Sequence, residues 1–380
     1  MTLGLSISYA WKMLQWVSVC PMTTSTAAHP QPYTDSVAHD ALLPPELRNI
    51  RDSQTDLPRI AKDPKLTALI DSIVPRIPTV HDLHRADARR RLATIASETV
   101  HLVVTSPPYW TLKEYRQSEG QLGFVTNYEK FLSELDKVWQ ECRRVLVPGG
   151  RLIVVVGDVC LSRRNNGGRH MVVPLHASIQ EHCRAIGFDN LAPIFWYKIA
   201  NAKHEVENGS SGFLGKPYEP NAVVKNDVEY ILMQRKYGAY RKPAVSTRIL
   251  SVISAANHQK WFQQIWSDVT GASTKDHPAP FPLELASRLI RMFSFVGDTV
   301  LDPFLGTGTT SLAAALAGRH SIGIEVDEHY FNMAVARLGS GAAHIELKNV
   351  NGSISLQRAS DGKPLSPATN LLPPKRAEMD

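Results

Sequence analysis

One stretch in the last quarter of the chain constrains the fold more than any other. The segment Val300-Leu301-Asp302 predicts a buried strand that ends at Asp302, and a loop that contains Gly306 and Gly308 follows it. An alanine-rich stretch at 311–318 then predicts a helix, and a second apolar strand ends in Glu325. A strand, a glycine loop, a helix and a second strand ending in an acid are typical of nucleotide-binding units in α/β folds.

The chemistry of this glycine loop favours one nucleotide ligand over another. Glu325 is placed to bind ribose hydroxyls, and the start of the helix offers unpaired amides. A dinucleotide loop prefers a third glycine where this chain has Ser311, and Asp302 is unfavourable beside a pyrophosphate. S-adenosylmethionine carries cationic groups and a ribose but no phosphate. We therefore expect S-adenosylmethionine as the cofactor, with a nicotinamide dinucleotide as the alternative.

Other apolar runs continue the alternation of strands and helices. Strands are predicted at 80–83, 101–104 and 151–156. Apolar side chains at helical intervals predict a helix over 131–147, which the Pro-Gly-Gly at 148–150 would end. Strands that alternate with helices in this way predict an α/β fold, with a Rossmann-like, mostly parallel twisted sheet and helices on both faces.

A second motif follows the strand at 101–104. Its residues, Thr-Ser-Pro-Pro-Tyr-Trp-Thr at 105–111, are delivered to the carboxyl edge of the predicted sheet, where ligands bind in open α/β folds. The two prolines remove backbone donors, so nearby carbonyls are free to accept hydrogen bonds. A planar aromatic beside such carbonyls suits a flat base with an exocyclic amino group. The alternative is a strand that simply ends in a proline turn.

Composition narrows the partners and the compartment. A net charge of +6 suits a polyanionic partner. The four cysteines form no Cys-x-x-Cys pair, which argues against a zinc ribbon or a disulfide framework and is consistent with a cytoplasmic protein. No His-Glu-x-x-His sequence occurs, and we expect no metal site. No apolar stretch is long enough to span a bilayer, so we expect no membrane association.

With both motifs considered together, the chain resembles the amino-directed DNA methyltransferases, which modify exocyclic nitrogens of bases. It resembles their permuted (β) subgroup, in which the catalytic motif precedes the cofactor loop. The resemblance covers roughly 79–338. Residues 105–110 resemble the catalytic signature, 275–282 the segment that closes over the cofactor, 302–310 the methionine-binding loop, and 323–325 the ribose-binding strand end. The resemblance implies a class I methyltransferase fold.

The resemblance also implies roles for the catalytic motif. Ser106 and the Pro107 carbonyl would accept hydrogen bonds from the amino group, which offsets the positive charge that develops on nitrogen. Tyr109 would stack on a base flipped from the duplex, and Pro108 completes the catalytic set. Trp110 would be a second wall of the base site or a packing residue.

Cofactor contacts follow from the same resemblance. Asp87 occupies the position of an acid that contacts the adenine ring in the family, although Ala86 replaces the glycine that is common before it. The remaining cofactor-binding residues implied by the motifs are Pro280, Phe281, Asp302, Phe304, Gly306, Gly308, Thr310 and Glu325.

The expected reaction is methyl transfer from S-adenosylmethionine to the N4 amino group of a cytosine in duplex DNA. In this family serine at the position of Ser106 usually accompanies cytosine, and an acid usually accompanies adenine, so N6-adenine is the alternative. Cytosine C5 methylation needs a thiolate, usually in a Pro-Cys pair, and the chain has no such pair. A non-catalytic DNA-binding subunit and an RNA substrate are weaker alternatives. A companion restriction endonuclease would be a further partner.

Two basic stretches between the motifs are candidates for DNA contact. The run at 235–242 mixes cations with aromatic rings, and the run at 163–169 is a predicted loop after a strand. The residues expected to contact phosphates and grooves are Arg163, Arg164, Arg169, Arg235, Lys236, Arg241 and Lys242. The alternative for each run is a solvated basic loop.

The expected domain organisation has three regions. A flexible leader covers 1–45, and its first residues do not fit a signal peptide, so Met22 is the expected native start. The methyltransferase domain covers 46–345, with an inserted target-recognition region at 198–270. A loose tail covers 346–380.

Overall fold

A ten-stranded sheet runs through the part of the chain that the structure describes. This computed structural model describes residues 36–48, 50, 53–110, 116, 118–163, 166–198, 226–272, 281–341, 345–350 and 353–358. The strands are β1 (Val80–Arg85), β2 (Val100–Thr105), β3 (Leu146–Val156), β4 (Val159–Leu161), β5 (Met171–Val173), β6 (Phe188–Tyr197), β7 (Val228–Lys236), β8 (Ile265–Trp266), β9 (Thr299–Asp302), β10 (His320–Glu325), β11 (Ile345–Val350) and β12 (Ser353–Arg358).

Helices cover both faces of this sheet. They are α1 (Ser36–Leu42), α2 (Pro45–Arg48), α3 (Ser53–Lys62), α4 (Pro64–Ile73), α5 (Ala88–Arg91), α6 (Tyr128–Val145), α7 (Leu175–Ile186), α8 (Val245–Leu250), α9 (Ala255–Trp261), α10 (Leu283–Phe293), α11 (Thr309–Leu316) and α12 (Glu328–Gly341). Side chains alternate across β2, so Val103 packs with α6 and α7 on one face, and Leu102 and Val104 pack with α10 and α11 on the other. None of the helices in the described ranges has the length and hydrophobicity needed to cross a membrane.

The strand order is β11-β12-β1-β10-β9-β2-β3-β7-β6-β8, and β4 pairs with β5 in a separate small sheet. The run from β1 to β3 is parallel throughout, and β7 lies antiparallel between β3 and β6. The sheet is therefore mixed but mostly parallel at its centre, as the alternation of strands and helices predicts.

The order of the strands reverses between β9 and β2. These strands are adjacent, with Leu102 beside Val300 and Val103 beside Leu301, although about two hundred residues separate them in the chain. From β9 the chain continues through α11 to β10 on one side, and from β2 it continues through α6 to β3 on the other. Connections that diverge in this way leave a crevice at the carboxyl ends of the two strands, which is where α/β folds bind ligands.

The predicted boundary between helix and strand at 148–150 differs from the observed one. The helix α6 ends at Val145, and β3 begins at once at Leu146, so the Pro-Gly-Gly lies inside the strand. Its pairing with β2 shifts register between Val100 and Leu102. Gly149 has φ of +79° and approaches the Ala239 carbonyl so closely that a Cβ would lie 2.8 Å from its oxygen. The glycines therefore form an irregularity within the strand and do not end the helix.

The domain boundaries also differ from those expected. The predicted recognition region at 198–270 contains β7, α8, α9 and β8, and both strands belong to the main sheet. Within the predicted tail, β12 pairs antiparallel with β1, so the sheet extends to Arg358. Within the predicted leader, His39 Nδ1 lies 2.9 Å from Thr247 Oγ1 of α8. An antiparallel strand in the sheet has the same apolar pattern as any other, so the sequence alone did not separate core from insertion.

Candidate active site

A cleft of about 610 Å³ opens at the carboxyl ends of the parallel strands. Six of the predicted site residues line it: Asp87, Ser106, Pro108, Phe304, Gly306 and Glu325. The structure thus brings residues of the catalytic motif and of the glycine loop to one cavity. Pro280 and Arg164, which were also predicted, lie outside the described residues.

A buried carboxylate links the two motifs beneath the cleft. Asp302 Oδ1 accepts a hydrogen bond from Thr105 Oγ1 at 2.6 Å, and its Oδ2 accepts one from Thr310 Oγ1 at 2.7 Å. The Phe304 amide also donates to Oδ1, at 3.0 Å. Asp302 is only 1% exposed, and this burial raises its pKa to about 6 although both threonine hydroxyls lower it. Neither Asp302 nor Thr310 lines the cleft, so the structure places both as a clamp between β2 and the glycine loop.

The acid at the end of β10 orders the glycine loop from the other side. Glu325 accepts hydrogen bonds from the Gly306 amide and from the Asp327 amide, each at 2.8 Å. Burial raises the pKa of Glu325 to about 7, and the two amides lower it. Because Glu325 also lines the cleft, its carboxylate both holds the loop and faces the ligand space.

Asp87 is engaged by a neighbour that the sequence did not single out. Its carboxylate caps α5 by accepting from the Arg89 amide at 2.9 Å, and it is paired with the Arg89 guanidinium at 2.6 Å. Arg89 Nη1 also contacts Glu134 Oε2 at 2.5 Å. The hydrogen bond that Arg89 donates to Asp87 is the largest cause of the raised Arg89 pKa, so this arginine is a permanent cation at the rim of the cleft.

The remaining predicted cofactor residues pack beside the cleft without lining it. Gly308 has φ of +82°, and a Cβ on it would lie 2.9 Å from Ala334 Cβ of α12. The glycine is therefore required for close packing of the loop on that helix. Phe281 is buried among apolar side chains that include Leu285 of α10. The cofactor contacts predicted for Gly308 and Phe281 remain predictions.

A short segment after the catalytic motif covers part of the cleft and was missed by sequence reasoning. Gly120, Gln121 and Leu122 line the cavity. Ser118 Oγ anchors this segment by donating to Asp327 Oδ2 at 2.7 Å. Asp327 Oδ1 in turn accepts from the first amides of α12, including that of His329 at 2.9 Å. An acid just before a helix is a detectable capping signal, but its partner Ser118 is far away in the sequence.

The catalytic motif itself is held by hydrogen bonds around Tyr109. Ser106 is half-buried, whereas Tyr109 is 4% exposed. Ser106 Oγ donates to the Tyr109 hydroxyl at 3.3 Å, and that hydroxyl donates to Glu229 Oε2 at 3.3 Å. Trp110 has an unusual φ of +44° and packs its ring edge-on against Tyr128, with ring centroids 5.0 Å apart. Of the two roles expected for Trp110, the observed contact is a packing contact.

The basic run at 235–242 lies at the opposite end of the strands from Ser106. Tyr230 of β7 pairs with the end of β3, where the site lies, and Arg235 pairs with Arg151 near its beginning. Lys236 Nζ donates to the Leu146 carbonyl at 2.6 Å. The other two paired cations are Arg235, which donates to the Gly238 carbonyl at 2.7 Å, and Arg241, which donates to both oxygens of Asp298 at 2.7 and 2.5 Å. Lys242 is exposed. The DNA contacts expected for this run stay predictions, and its distance from the cleft does not favour them.

The second basic run lies at the same edge as the cleft. Strands β4 and β5 form a hairpin that begins two residues after Gly157, and Arg163 and Arg169 are exposed in its connection. At the base of the hairpin, His176 Nδ1 lies 2.6 Å from Asp158 Oδ1. This position is compatible with the DNA contact predicted for the two arginines. Within the described residues no cluster of three or more His, Cys, Asp or Glu side chains could hold a metal ion.

Comparison with known proteins agrees with the geometry of the site. A family model described as DNA methylase, with the name N6_N4_Mtase, matches residues 100–336, which is more than half of the chain. The chain belongs to the N6/N4 DNA methylase family. This methylase is 40% identical over 282 residues to the Type II methyltransferase M.MjaI of Methanocaldococcus jannaschii, a match that covers 66% of this chain and 89% of that protein.

Two solved structures are similar in fold to this methylase. The Thermus thermophilus protein TTHA0409, solved in complex with S-adenosyl-L-methionine, is 51% identical with a TM-score of 0.58, and the match covers 69% of this methylase and 94% of that chain. The PvuII DNA methyltransferase, described as cytosine-N4-specific, has a TM-score of 0.50 at 19% identity, covering 67% and 85% of the two chains. At that identity the likeness concerns the fold alone. The predicted fold class is confirmed.

Proposed function

We propose that this methylase transfers a methyl group from S-adenosylmethionine to the N4 amino group of a specific cytosine flipped out of duplex DNA. We also assign it to the permuted subgroup, since Ser106 precedes Gly306 in the chain. The observation that carries the proposal is the adjacency of β2 and β9. It brings Ser106 and Pro108 to the same cleft as Gly306 and Glu325.

The cofactor expected from the sequence, S-adenosylmethionine, is supported by the Thermus thermophilus relative, which was solved as its complex. When bound, this cofactor supplies an electrophilic methyl group on a sulfonium. The donor set of the cleft suits it, because Asp87 and Glu325 provide carboxylates for hydroxyl and ammonium groups and Phe304 provides an aromatic face. The cleft offers Arg89 as a cation, but Asp87 and Glu134 already pair with it, so it is not free for a phosphate.

The chain's own contribution to the reaction is to position the target base. Ser106 Oγ and the Pro107 carbonyl accept hydrogen bonds from the amino group, which stabilises the nitrogen as it becomes positive. Tyr109 offers its ring for stacking. Because that ring is almost fully buried, the base reaches it only after neighbouring side chains move aside on DNA binding.

The choice of base rests on Ser106. A neutral hydroxyl stands where an acid usually accompanies adenine, which favours cytosine N4. Adenine N6 is the alternative, because the same acceptors suit either exocyclic amino group. The family supports DNA as the substrate. In the proposed complex with duplex DNA, the two exposed hairpin arginines, Arg163 and Arg169, supply candidate phosphate contacts. A companion restriction endonuclease is part of the proposal, since M.MjaI is described as a Type II methyltransferase.

The test is methylation of varied genomic DNA with isotope-labelled S-adenosylmethionine, followed by digestion to nucleosides and mass spectrometry. We expect label in N4-methylcytosine, and its loss in Ser106→Ala and Tyr109→Ala. Label in N6-methyladenine would replace the base but keep the reaction. Absence of any incorporation by protein that binds the cofactor would overturn the proposal.

A further inference from the structure

A chain of hydrogen bonds connects the proposed acceptor serine to a partly buried ion pair. Ser106 Oγ donates to the Tyr109 hydroxyl, and that hydroxyl donates to Glu229 Oε2, both at 3.3 Å. Glu229 Oε1 accepts from Lys198 Nζ at 2.9 Å. Every donor in this hydrogen-bond chain therefore points toward the Glu229 carboxylate, and the one that leaves Ser106 points away from the serine.

The fold explains why Glu229 meets Tyr109. Glu229 is the second residue of β7, and its neighbour Tyr230 pairs with Val156 at the end of β3. Glu229 therefore lies beside Gly157, where a Cβ would be 3.5 Å from both Tyr109 Cε2 and Glu229 Cγ. The side chain of Glu229 is 15% exposed, so solvent competes little for its oxygens.

Lys198 fixes the other side of the carboxylate. Its ammonium lies 5.4 Å from the centroid of the Trp196 ring, and its backbone amide donates to the Asp227 carbonyl at 2.9 Å. Its own side chain is 26% exposed. A cation held in this way orients the neighbouring carboxylate, because a charge-assisted hydrogen bond is stronger than a neutral one.

The direction of the hydrogen-bond chain matters for Ser106. A hydroxyl has one proton to donate and two lone pairs to accept with, whereas a carboxylate only accepts. Glu229 accepts the hydrogen bond that Tyr109 donates, and Tyr109 accepts the one that Ser106 donates. The lone pairs of Ser106 therefore remain available. We propose that Glu229 is a positioning residue, which acts through Tyr109 to keep Ser106 a hydrogen-bond acceptor for the amino group of the target base. This inference rests on the proposed function.

Replacement of Glu229 by glutamine separates this role from packing. Glutamine has nearly the same size, but its amide N–H groups can donate to Tyr109. The Tyr109 hydroxyl would then donate to Ser106, whose proton would face the incoming amino group. The expected result for Glu229→Gln is therefore a reversed hydrogen-bond chain in an otherwise folded protein.

The kinetic test is single-turnover methyl transfer. We expect Glu229→Gln to slow the methyl-transfer step by about 10- to 100-fold, less than the roughly 10²- to 10³-fold lost with a direct transition-state contact, and to change KM little. The matched control is Glu141→Gln, because Glu141 is a similarly shielded carboxylate paired with Arg144 at 2.7 Å on α6. It should methylate at the wild-type rate. An unaffected rate in Glu229→Gln would overturn the inference.

A double-mutant cycle tests whether Glu229 acts through Tyr109. Tyr109→Phe keeps the ring and removes the hydroxyl that joins Ser106 to Glu229. In that background the further change Glu229→Gln should have little effect on the methyl-transfer rate, because the link is already broken. Independent, multiplying effects of the two changes would show that Glu229 acts by another route and would exclude the proposed role.

A spectroscopic measurement decides the contact without methylation. In protein labelled with fluorotyrosine, the ¹⁹F resonance of Tyr109 is the one that disappears in Tyr109→Phe. It should shift in Glu229→Gln and stay in place in Glu141→Gln. A resonance that does not move in Glu229→Gln contradicts the inference. Wild-type protein that fails to methylate DNA while this shift is seen contradicts the proposed function instead.

Discussion

At the scale of single residues, hydrogen bonds to one buried carboxylate connect the two motifs. Asp302 accepts from Thr105 at the end of β2 and from Thr310 at the start of α11, so it joins segments that are far apart in the chain. A buried carboxylate that loses a donor is costly, because nothing replaces the lost solvation. The clamp therefore sets the relative position of the proposed catalytic motif and the glycine loop.

Thr105→Val removes one donor to Asp302 and keeps the shape of the side chain. We expect it to lower the free energy of unfolding by about 1–3 kcal/mol, because Asp302 Oδ1 is left with the Phe304 amide alone. Thr105→Ser keeps the hydroxyl and is the matched control. Urea unfolding followed by circular dichroism measures both. Equal losses for valine and serine would mean that the methyl group, and not the hydrogen bond, carries the effect.

Glu325 makes the stability of the cofactor-free protein depend on pH. Burial raises the pKa of Glu325 from 4.5 to about 7, so between these values the folded protein holds a proton that the unfolded chain has released. This contribution is fully present below about pH 4.5 and is lost as the pH rises toward about 7. The raised pKa of Asp302 produces a similar dependence at lower pH.

Glu325→Gln isolates the part that belongs to Glu325, since glutamine does not ionise. The free energy of unfolding of wild type minus that of the variant should fall by roughly 3 kcal/mol between about pH 4.5 and about pH 7. Denaturant unfolding at several pH values measures this difference without cofactor. A difference that stays constant with pH would show that Glu325 has an ordinary pKa in the folded protein.

At the scale of elements, the glycine loop is shaped as much by the helix behind it as by the cleft before it. Gly306 lines the cleft, whereas Gly308 touches α12 and begins α11 with a left-handed backbone. The two positions of one motif therefore require glycine for different physical reasons. Sequence reasoning assigned both to the ligand because α12, which restricts Gly308, lies further along the chain.

Gly308→Ala tests the packing of this loop on α12. We expect a loss of about 1–3 kcal/mol, because the backbone has φ of +82° and the new Cβ would lie 2.9 Å from Ala334 Cβ. Gly339→Ala, at a position on α12 with no neighbouring atom within 4 Å, is the control and should be neutral or stabilising. Thermal unfolding compares them. Similar behaviour of the two variants would contradict the packing explanation.

At the scale of the whole molecule, the sheet extends beyond the parallel core. Strands β11 and β12 cover the outer edge of β1, which would otherwise expose unpaired backbone groups beside the cleft. The sequence predicted a loose tail there. Only the pairing of β12 with β1 gives this region its place in the sheet.

Truncation after Gly341 removes this hairpin, and truncation after Arg358 retains it. We expect the shorter protein to lose stability on the order of 2 kcal/mol from several cross-strand pairs, and to aggregate through the exposed β1 edge. The longer truncation should keep the Tm of the full chain. Differential scanning calorimetry with light scattering checks both. An unchanged Tm after Gly341 would show that the hairpin contributes no stability.

The strands and helices that place the site were predictable, and so was the meeting of its two motifs. Runs such as 101–104 and 300–301 are apolar enough to be recognised as parts of buried strands. Ser106 directly follows β2, and Gly306 lies in the loop that follows β9. Contacts made by pairing over long separations were not predictable. Glu229 and Ser118 carry no local signal, since their partners come from other elements of the sheet edge.

Lys198, just after β6, and Asp227, just before β7, form a narrow junction between the two strands. The Lys198 amide is hydrogen-bonded to the Asp227 carbonyl, so the chain departs from β6 and returns to β7 across the width of one hydrogen bond. Loop closure between ends this close depends only weakly on length. Segments of different length and composition can therefore be grafted at this junction without altering either strand. Such a junction allows the connecting segment to change while the pairing of β6 with β7 stays as it is.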